Sequence, residues 1–468
     1  MSQTSVKLEE NKMGTEPIAK LLITMSLPMI ASMLVQALYN IVDSIYVSQL
    51  GETALTAVSL SYPFMTLMIA FGVGTGVGVN VLISRYLGAK NFDKVEMLAK
   101  TALLLPFLTS LIFTSIGLTL IPNYFNFQTD DPKIYDLGLR YLRIAAIFNL
   151  GSMYQTMFEK LLSSTGRTGL TMITQVVGAV INVILDPILI FGWLNIPAMG
   201  VEGAAIATVI GQSTAAFLGL FLNLRFNKEL GLSRQKSKKL KVEFKIFAEI
   251  YRIAFPSIML AASGAIMTYL MNNILIDYSS TANAIFGIYF NLQSFVFMPI
   301  FGLNNGMIPI VSYNFGAKKK RRIHKTMKIS ASIAVAYMST GFLLFQFLPE
   351  SLLAMFNANE EMLKIGVSAL RIISWHFIFA GFSVIISAFC QALGYSLYSL
   401  ISSLTRQILV LIPAAYILGK TFGLRAIWYA YPLAEVVSFV LSIFFFLSIW
   451  KREELSEKII FKNDHVLD

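Results

Sequence analysis

Two carboxylates lie inside apolar runs: Asp43 in "QALYNIVDSIYV" (Gln36–Val47) and Asp186 in "INVILDPILIFG" (Ile181–Gly192). A bare carboxylate facing hydrocarbon costs about 3 kcal/mol, so each needs compensation. Polar groups stand at helical spacing beside both. Asn182 lies one helical turn before Asp186 on the same face, and Gln36 lies two turns before Asp43. Pro187 has no N–H to give to the carbonyl of Val183, which is left free to accept or coordinate. Thr208 and Tyr141 offer hydroxyls. Carboxylate, amide, hydroxyl and carbonyl oxygens are hard donors that suit a proton or Na+, not a soft metal. The competing reading is that these groups only hydrogen-bond helices together. Two acids at one depth repel unless something positive stands between them, which favours cation binding.

The chain around these residues reads as a bilayer protein. Its 468 residues are 56% hydrophobic and only 13% charged, with a mean hydropathy of +0.67. A soluble globular chain has about 25% charged residues. A spanning helix needs about 20 mostly apolar residues. Such runs fall near 20–48, 53–84, 97–122, 134–160, 168–191 and 201–226, then near 246–277, 282–313, 324–348, 362–392, 396–418 and 424–449. Basic residues mark alternate loops: Arg85 to Lys100, Lys160 and Arg167, "RFNKELGLSRQKSKKLKVEFK", "AKKKRRIHK", and Lys451-Arg452. The opposite loops carry Glu52, Asp130, Asp131, Asp136, Glu202, Glu350, Glu360 and Glu361. By the positive-inside rule both termini face the cytoplasm of a multi-pass plasma-membrane protein. The same rule explains the net charge of +11, so "KKKRR" is not a nucleic-acid signal and no nucleic-acid partner is expected. On this topology Asp43 and Asp186 both lie roughly 9–12 Å below the outer ends of spans 1 and 5. Thr208 in span 6 and Tyr141 in span 4 reach the same level.

The two halves repeat in one register, the spacing of Pro28 and Pro256. Thr53-Ala54 matches Thr281-Ala282, Gly74 and Gly78 match Gly302 and Gly306, "GAK" at Gly88–Lys90 returns at Gly316–Lys318, and Gly166 matches Gly394. Each copy has an even number of spans, so both enter the membrane in the same sense. The predicted fold is all-α and integral to the membrane: twelve transmembrane helices in two six-helix lobes related by a parallel pseudo-twofold repeat. The boundaries are a cytosolic tail at 1–17, a lobe at 18–226, a basic linker at 227–245, a second lobe at 246–450 and a cytosolic tail at 451–468. Two such lobes suit alternating access to a central cavity.

Other groups favour structural readings. Arg406 and Glu435 fall near mid-membrane in spans 11 and 12 and read as an ion pair. Glu159 beside Lys160 reads as a solvated pair at the inner end of span 4. His376 in "SWHFIF" reads as a satisfied core histidine and Cys390 as a small buried filler. "GVGTGVGVN" (Gly72–Asn80) has no strand before it and reads as helix packing, while "GKT" at Gly419–Thr421 lacks the glycine a phosphate loop needs. No His/Cys/Asp metal cluster and no nucleophile–base pair stands out. An integral-membrane enzyme is therefore disfavoured and no cofactor is expected.

The set "SLPMIASMLVQALYNIVDSIYVSQLG", the twofold "GAK", "NVILDP" and "GVEGAAIATVIGQ" resembles the MATE multidrug and toxic compound extrusion transporters, over nearly the whole chain. The likeness is to the DinF-like branch with its MepA-like exporters. That resemblance implies a cation-coupling site of Asp43, Asn182, Asp186 and Thr208, supported by Gln36 and Tyr141. It implies efflux of amphipathic, often cationic drug-like compounds in exchange for H+ or Na+, by a monomer in the lipid bilayer. Members of the branch carry Asn where Glu159 stands. The acids of the NorM-like branch in spans 7 and 10 are missing, with only Asp277 at the end of span 7. The alternative within the superfamily is a flippase of lipid-linked saccharides, which needs a cationic cavity lining.

Overall fold

The computed structural model describes residues 10–232, 244–356 and 358–464, with the side chains of 452–464 left aside. Parts of the expected tails and most of the basic linker lie outside the described residues. Helix is the only regular secondary structure among the described residues.

In chain order the first half comprises α1 (Lys12–Thr15), α2 (Ile18–Ser48), α3 (Glu52–Gly88), α4 (Phe92–Thr119), α5 (Ile121–Gln128), α6 (Pro132–Ile147), α7 (Leu150–Ser164), α8 (Thr168–Phe191) and α9 (Val201–Phe226). The second half comprises α10 (Phe244–Ile276), α11 (Ser280–Gly316), α12 (Lys320–Phe347), α13 (Pro349–Ala354), α14 (Glu360–Ile373), α15 (His376–Ala392), α16 (Ser396–Leu404), α17 (Ile412–Phe422), α18 (Leu424–Ile427) and α19 (Ala430–Asp464). A π-helical stretch, Thr405–Leu411, joins α16 to α17.

Among the described residues ten helical stretches, with Ser396–Phe422 and Leu424–Lys451 each taken as one, are long and apolar enough to cross a membrane, and the bent pair α14–α15, with 46° between its members, makes eleven. The expected span 4 is not one helix: α6 ends at Ile147 and α7 starts at Leu150. Asn149 stands at the break. Its side-chain amide donates to the carbonyl of Ala146, a bond that competes with the helical ladder. The α14–α15 bend falls at Ser374-Trp375, two residues before the equivalent place in the second repeat. Large apolar side chains stand on the surface, including Ile23, Leu27, Phe217 and Phe444. Water does not tolerate so much exposed hydrocarbon, whereas a bilayer solvates it.

The chain forms two compact units. One is drawn from Met1–Ala262, Phe301–Thr326 and Ala392–Gly394, the other from Ser263–Ile300, Met327–Gln391 and Tyr395–Asp468. In the first unit the repeat appears as reciprocal contacts. A Cβ on Gly74 would stand 2.4 Å from Ile258, and one on Gly302 would stand 2.6 Å from Ile30, the repeat mate of Ile258. Gly88 abuts the Tyr313 carbonyl as Gly316 abuts that of Arg85. Ser84 donates to the Ser164 carbonyl and Ser312 to that of Ala392, both at 2.8 Å. Glycine permits these approaches because any side chain would collide with backbone. Thus "GVGTGVGVN" is a buried packing face of α3, as its lack of a preceding strand implied.

Candidate functional site

Three helices of the first unit carry the cluster. α2 supplies Gln36 and Asp43, α8 supplies Asn182 and Asp186, and α9 supplies Thr208. α2 packs on α8 and α8 on α9. The α8–α9 contact is unusually close because both helices present glycine: a Cβ on Gly211 would stand 2.7 Å from the Gly178 carbonyl oxygen, and one on Gly203 would stand 2.5 Å from that of Leu189. This closeness brings Asn182 to Thr208. The Asn182 amide donates to Thr208 Oγ1 at 3.2 Å and to Asp186 Oδ1 at 3.4 Å.

Asp43 and Asp186 are buried, 8% and 0% exposed, although no basic group among the described residues forms an ion pair with either. Asp43 Oδ1, Asn182 Oδ1 and Asp186 Oδ2 are buried oxygens without a hydrogen-bond partner in the protein. The two carboxylates act on one another electrostatically. An unsatisfied buried acceptor costs about 1–3 kcal/mol, more when charged. Three such oxygens together can bind a hard cation or take up a proton. Tyr141 on α6 is buried in an apolar cluster with Val47, Ile190 and Val201, within electrostatic range of both acids. Gln36 stands instead on the wall of an adjoining cavity of about 250 Å3, also lined by Asn182 and Thr208.

Sequence reasoning missed Tyr39, which lies in electrostatic range of both acids, and Tyr62, which lies in range of Tyr39 and Tyr141. Tyr39 is four residues before Asp43, a spacing that could have flagged it. Glu159 and Lys160 depart from the solvated pair read from the sequence. Glu159 is only 7% exposed, and its carboxylate accepts from Gln155 at 3.0 Å and Gln175 at 2.8 Å. Lys160 donates to Asn305 Oδ1 at 3.0 Å. Neighbours in a helix point about 100° apart, so each group takes its hydrogen bonds elsewhere although the two charges still act on one another.

In the second unit, Arg406 Nη1 lies 3.1 Å from Glu435 Oε2, the ion pair read from the sequence. His376 is buried, its Nδ1 sits 2.7 Å from the Ile373 carbonyl, and its ring stacks on Phe297. Cys390 is buried. Among the described residues no group of His, Cys, Asp and Glu could hold a metal ion.

A family model described as MatE matches residues 28–188 and 253–417. The chain belongs to the MatE family. It is 26% identical over 440 residues to a probable multidrug resistance protein, YoeA, of Bacillus subtilis, with 92% of this chain and 94% of that protein covered. It is 26% identical over 436 residues to the multidrug export protein MepA of Staphylococcus haemolyticus, covering 93% and 94%. A solved outward-facing multidrug resistance MATE family transporter superposes with a TM-score of 0.86 at 23% identity, over 96% of this chain and 98% of that one. That likeness concerns the fold. MatE membership makes the protein a multi-pass membrane transporter rather than an enzyme.

Proposed function

We propose that this MatE protein exports amphipathic, often cationic organic compounds in exchange for inward-moving H+ or Na+. The observation that carries the reading is the trio of buried, unpartnered oxygens on Asp43, Asn182 and Asp186. Asp43 and Asp186 take up the ion. Asn182 and Thr208 hold the geometry and supply further oxygens, with Gln36 and Tyr141 at the margins. An ion between the acids relieves their repulsion, so it favours whichever conformation brings them together. Coupling of this kind is typically about 1–3 kcal/mol, which biases alternating access without locking it. The reading takes α6–α7 as a twelfth span. It takes 18–226 and 246–450 as two lobes joined by 227–245, with tails 1–17 and 451–468 and both termini in the cytoplasm. It places a monomer in the plasma membrane, with no cofactor. The multidrug export named for the staphylococcal relative supports the substrate class.

Reconstituted vesicles test it. Ethidium flux is followed under an imposed pH gradient, then at fixed pH under an imposed Na+ gradient. One of the two drives accumulation against the dye gradient, and collapsing it stops accumulation. Flux indifferent to both gradients contradicts the reading.

A further inference from the structure

The cavity beside the cation cluster has a second charged wall. Glu159 and Lys160 both line it, together with Gln155, Gln175 and Asn305, while Met29, Met33, Ile69 and Val73 give it apolar sides. The two charges are satisfied separately. Each Glu159 oxygen takes one amide hydrogen, from Gln155 or Gln175, and Lys160 gives one hydrogen to Asn305. A carboxylate has about four acceptor sites and an ammonium has three donors. Both groups therefore keep spare capacity, of opposite sign, on one cavity wall.

Such an arrangement is costly if it serves only the fold. Glu159 is buried and Lys160 partly buried; they attract one another, but charges that hydrogen-bond neutral amides in place of each other lose part of the attraction that a close pair sets against its desolvation. The repeat gives a direct comparison. The equivalents of Glu159 and Lys160 in the second half are Ser387 and Ala388, so the repeated architecture forms without the charges. A free organic cation also fits poorly, since Lys160 opposes it. A ligand bearing both signs meets both groups.

We propose that Glu159 and Lys160 form a head-group site for zwitterionic amphiphiles, with Glu159 receiving an ammonium and Lys160 a carboxylate of the same molecule. This rests on the exporter reading and names a substrate class for it. A cavity of about 250 Å3 holds a polar head group, and its methionine-bearing side accepts the start of an apolar body.

The test is equilibrium binding to the full-length purified protein, without any gradient. The probes are Nε-dansyl-L-lysine, a fluorescent zwitterion, and its decarboxylated analogue dansylcadaverine, an alkylammonium that is only a cation at neutral pH. Wild type binds the zwitterion about tenfold or more tightly than the cation, the worth of one charge-assisted hydrogen bond. K160M removes that preference by weakening the zwitterion alone, and E159Q weakens both probes. N305D sets a carboxylate against Lys160 and is expected to remove the preference without deleting the lysine, which covers the case of K160M failing to fold. Equal affinity of wild type for both probes overturns the proposal, as does an unchanged preference in folded K160M and N305D. Ion-driven ethidium export by the wild type is measured alongside. If it fails, the exporter reading falls. If it succeeds while the probes are not distinguished, only this site falls.

Discussion

Replacing Gly211 by alanine tests whether the α8–α9 approach builds the cluster. The new Cβ would stand 2.7 Å from the Gly178 carbonyl oxygen and 3.2 Å from Asn182 Cβ. A comfortable C···O contact is about 3.3 Å or more, so α9 must retreat by about 0.6 Å. Thr208 lies one turn before Gly211 on the same face and retreats with it. The Asn182–Thr208 hydrogen bond, now 3.2 Å, then stretches to about 3.8 Å, beyond bonding range. Overpacking costs about 1–3 kcal/mol and the lost bond about 1 kcal/mol, so the variant loses about 2–4 kcal/mol. Gly169, near the start of α8, provides the control: nothing lies within 4 Å of its added Cβ. Gly169→Ala should gain up to about 1 kcal/mol from helix propensity. Unfolding of both variants in detergent gives the stabilities, and vesicle flux gives the activity. Gly211→Ala with wild-type stability and full ion-driven flux would refute the reasoning.

Asp43→Asn should abolish gradient-driven export in protein that expresses and inserts normally; normal flux removes Asp43 from the coupling site. Arg406 and Glu435 should behave as one unit, the acid being 2% exposed and the guanidinium 25%. Glu435→Gln and Arg406→Gln should each lower the melting temperature, and the charge-swapped double variant should recover part of the loss; additive single effects argue against pairing. Gly316→Ala, whose Cβ would stand 1.8 Å from the Arg85 carbonyl oxygen, should destabilise the protein by more than about 2 kcal/mol. An unaltered melting curve would show that the reciprocal contact is not maintained in the membrane.

Depth arithmetic on apolar runs set Asp43, Asp186, Thr208 and Tyr141 at one level in advance, because rise per residue is nearly constant along a helix. Helical spacing offered Asn182, one turn before Asp186, and Gln36, two turns before Asp43; Gln36 lines a cavity that Asn182 and Thr208 also line. For Glu159, Lys160 was the visible neighbour; Gln155, one turn earlier on the same helix, is a partner that spacing could have offered, whereas Gln175 sits on another helix and Asn305, in the other repeat, claims the lysine. Such contacts depend on which helices pack together, which hydropathy does not encode. The break in span 4 also escaped a reading by composition. Residues 134–160 were read as one run, and the hydrogen bonding of Asn149 at their break is a local detail that composition does not carry. The internal repeat was legible throughout because glycines at helix crossings tolerate no drift. The same residues form the reciprocal contacts Gly74–Ile258 and Gly302–Ile30.

The claim that the Asp43–Asp186 pair is bridged by the coupling ion is tested most directly with Asp186→Asn. The substitution keeps the shape and removes one of two repelling charges. The variant should be at least as stable as wild type in Na+-free buffer at neutral pH, and it should not transport. Wild-type melting should respond to the coupling ion, by about 2.7 kcal/mol when the ion is present at a hundred times its dissociation constant, and the variant's response should vanish. Melting is measured against pH and against Na+, with flux assayed in vesicles from the same preparation. A variant that still pumps, together with a wild type whose melting ignores both ions, would contradict the account and leave Asp186 as a helix-packing group.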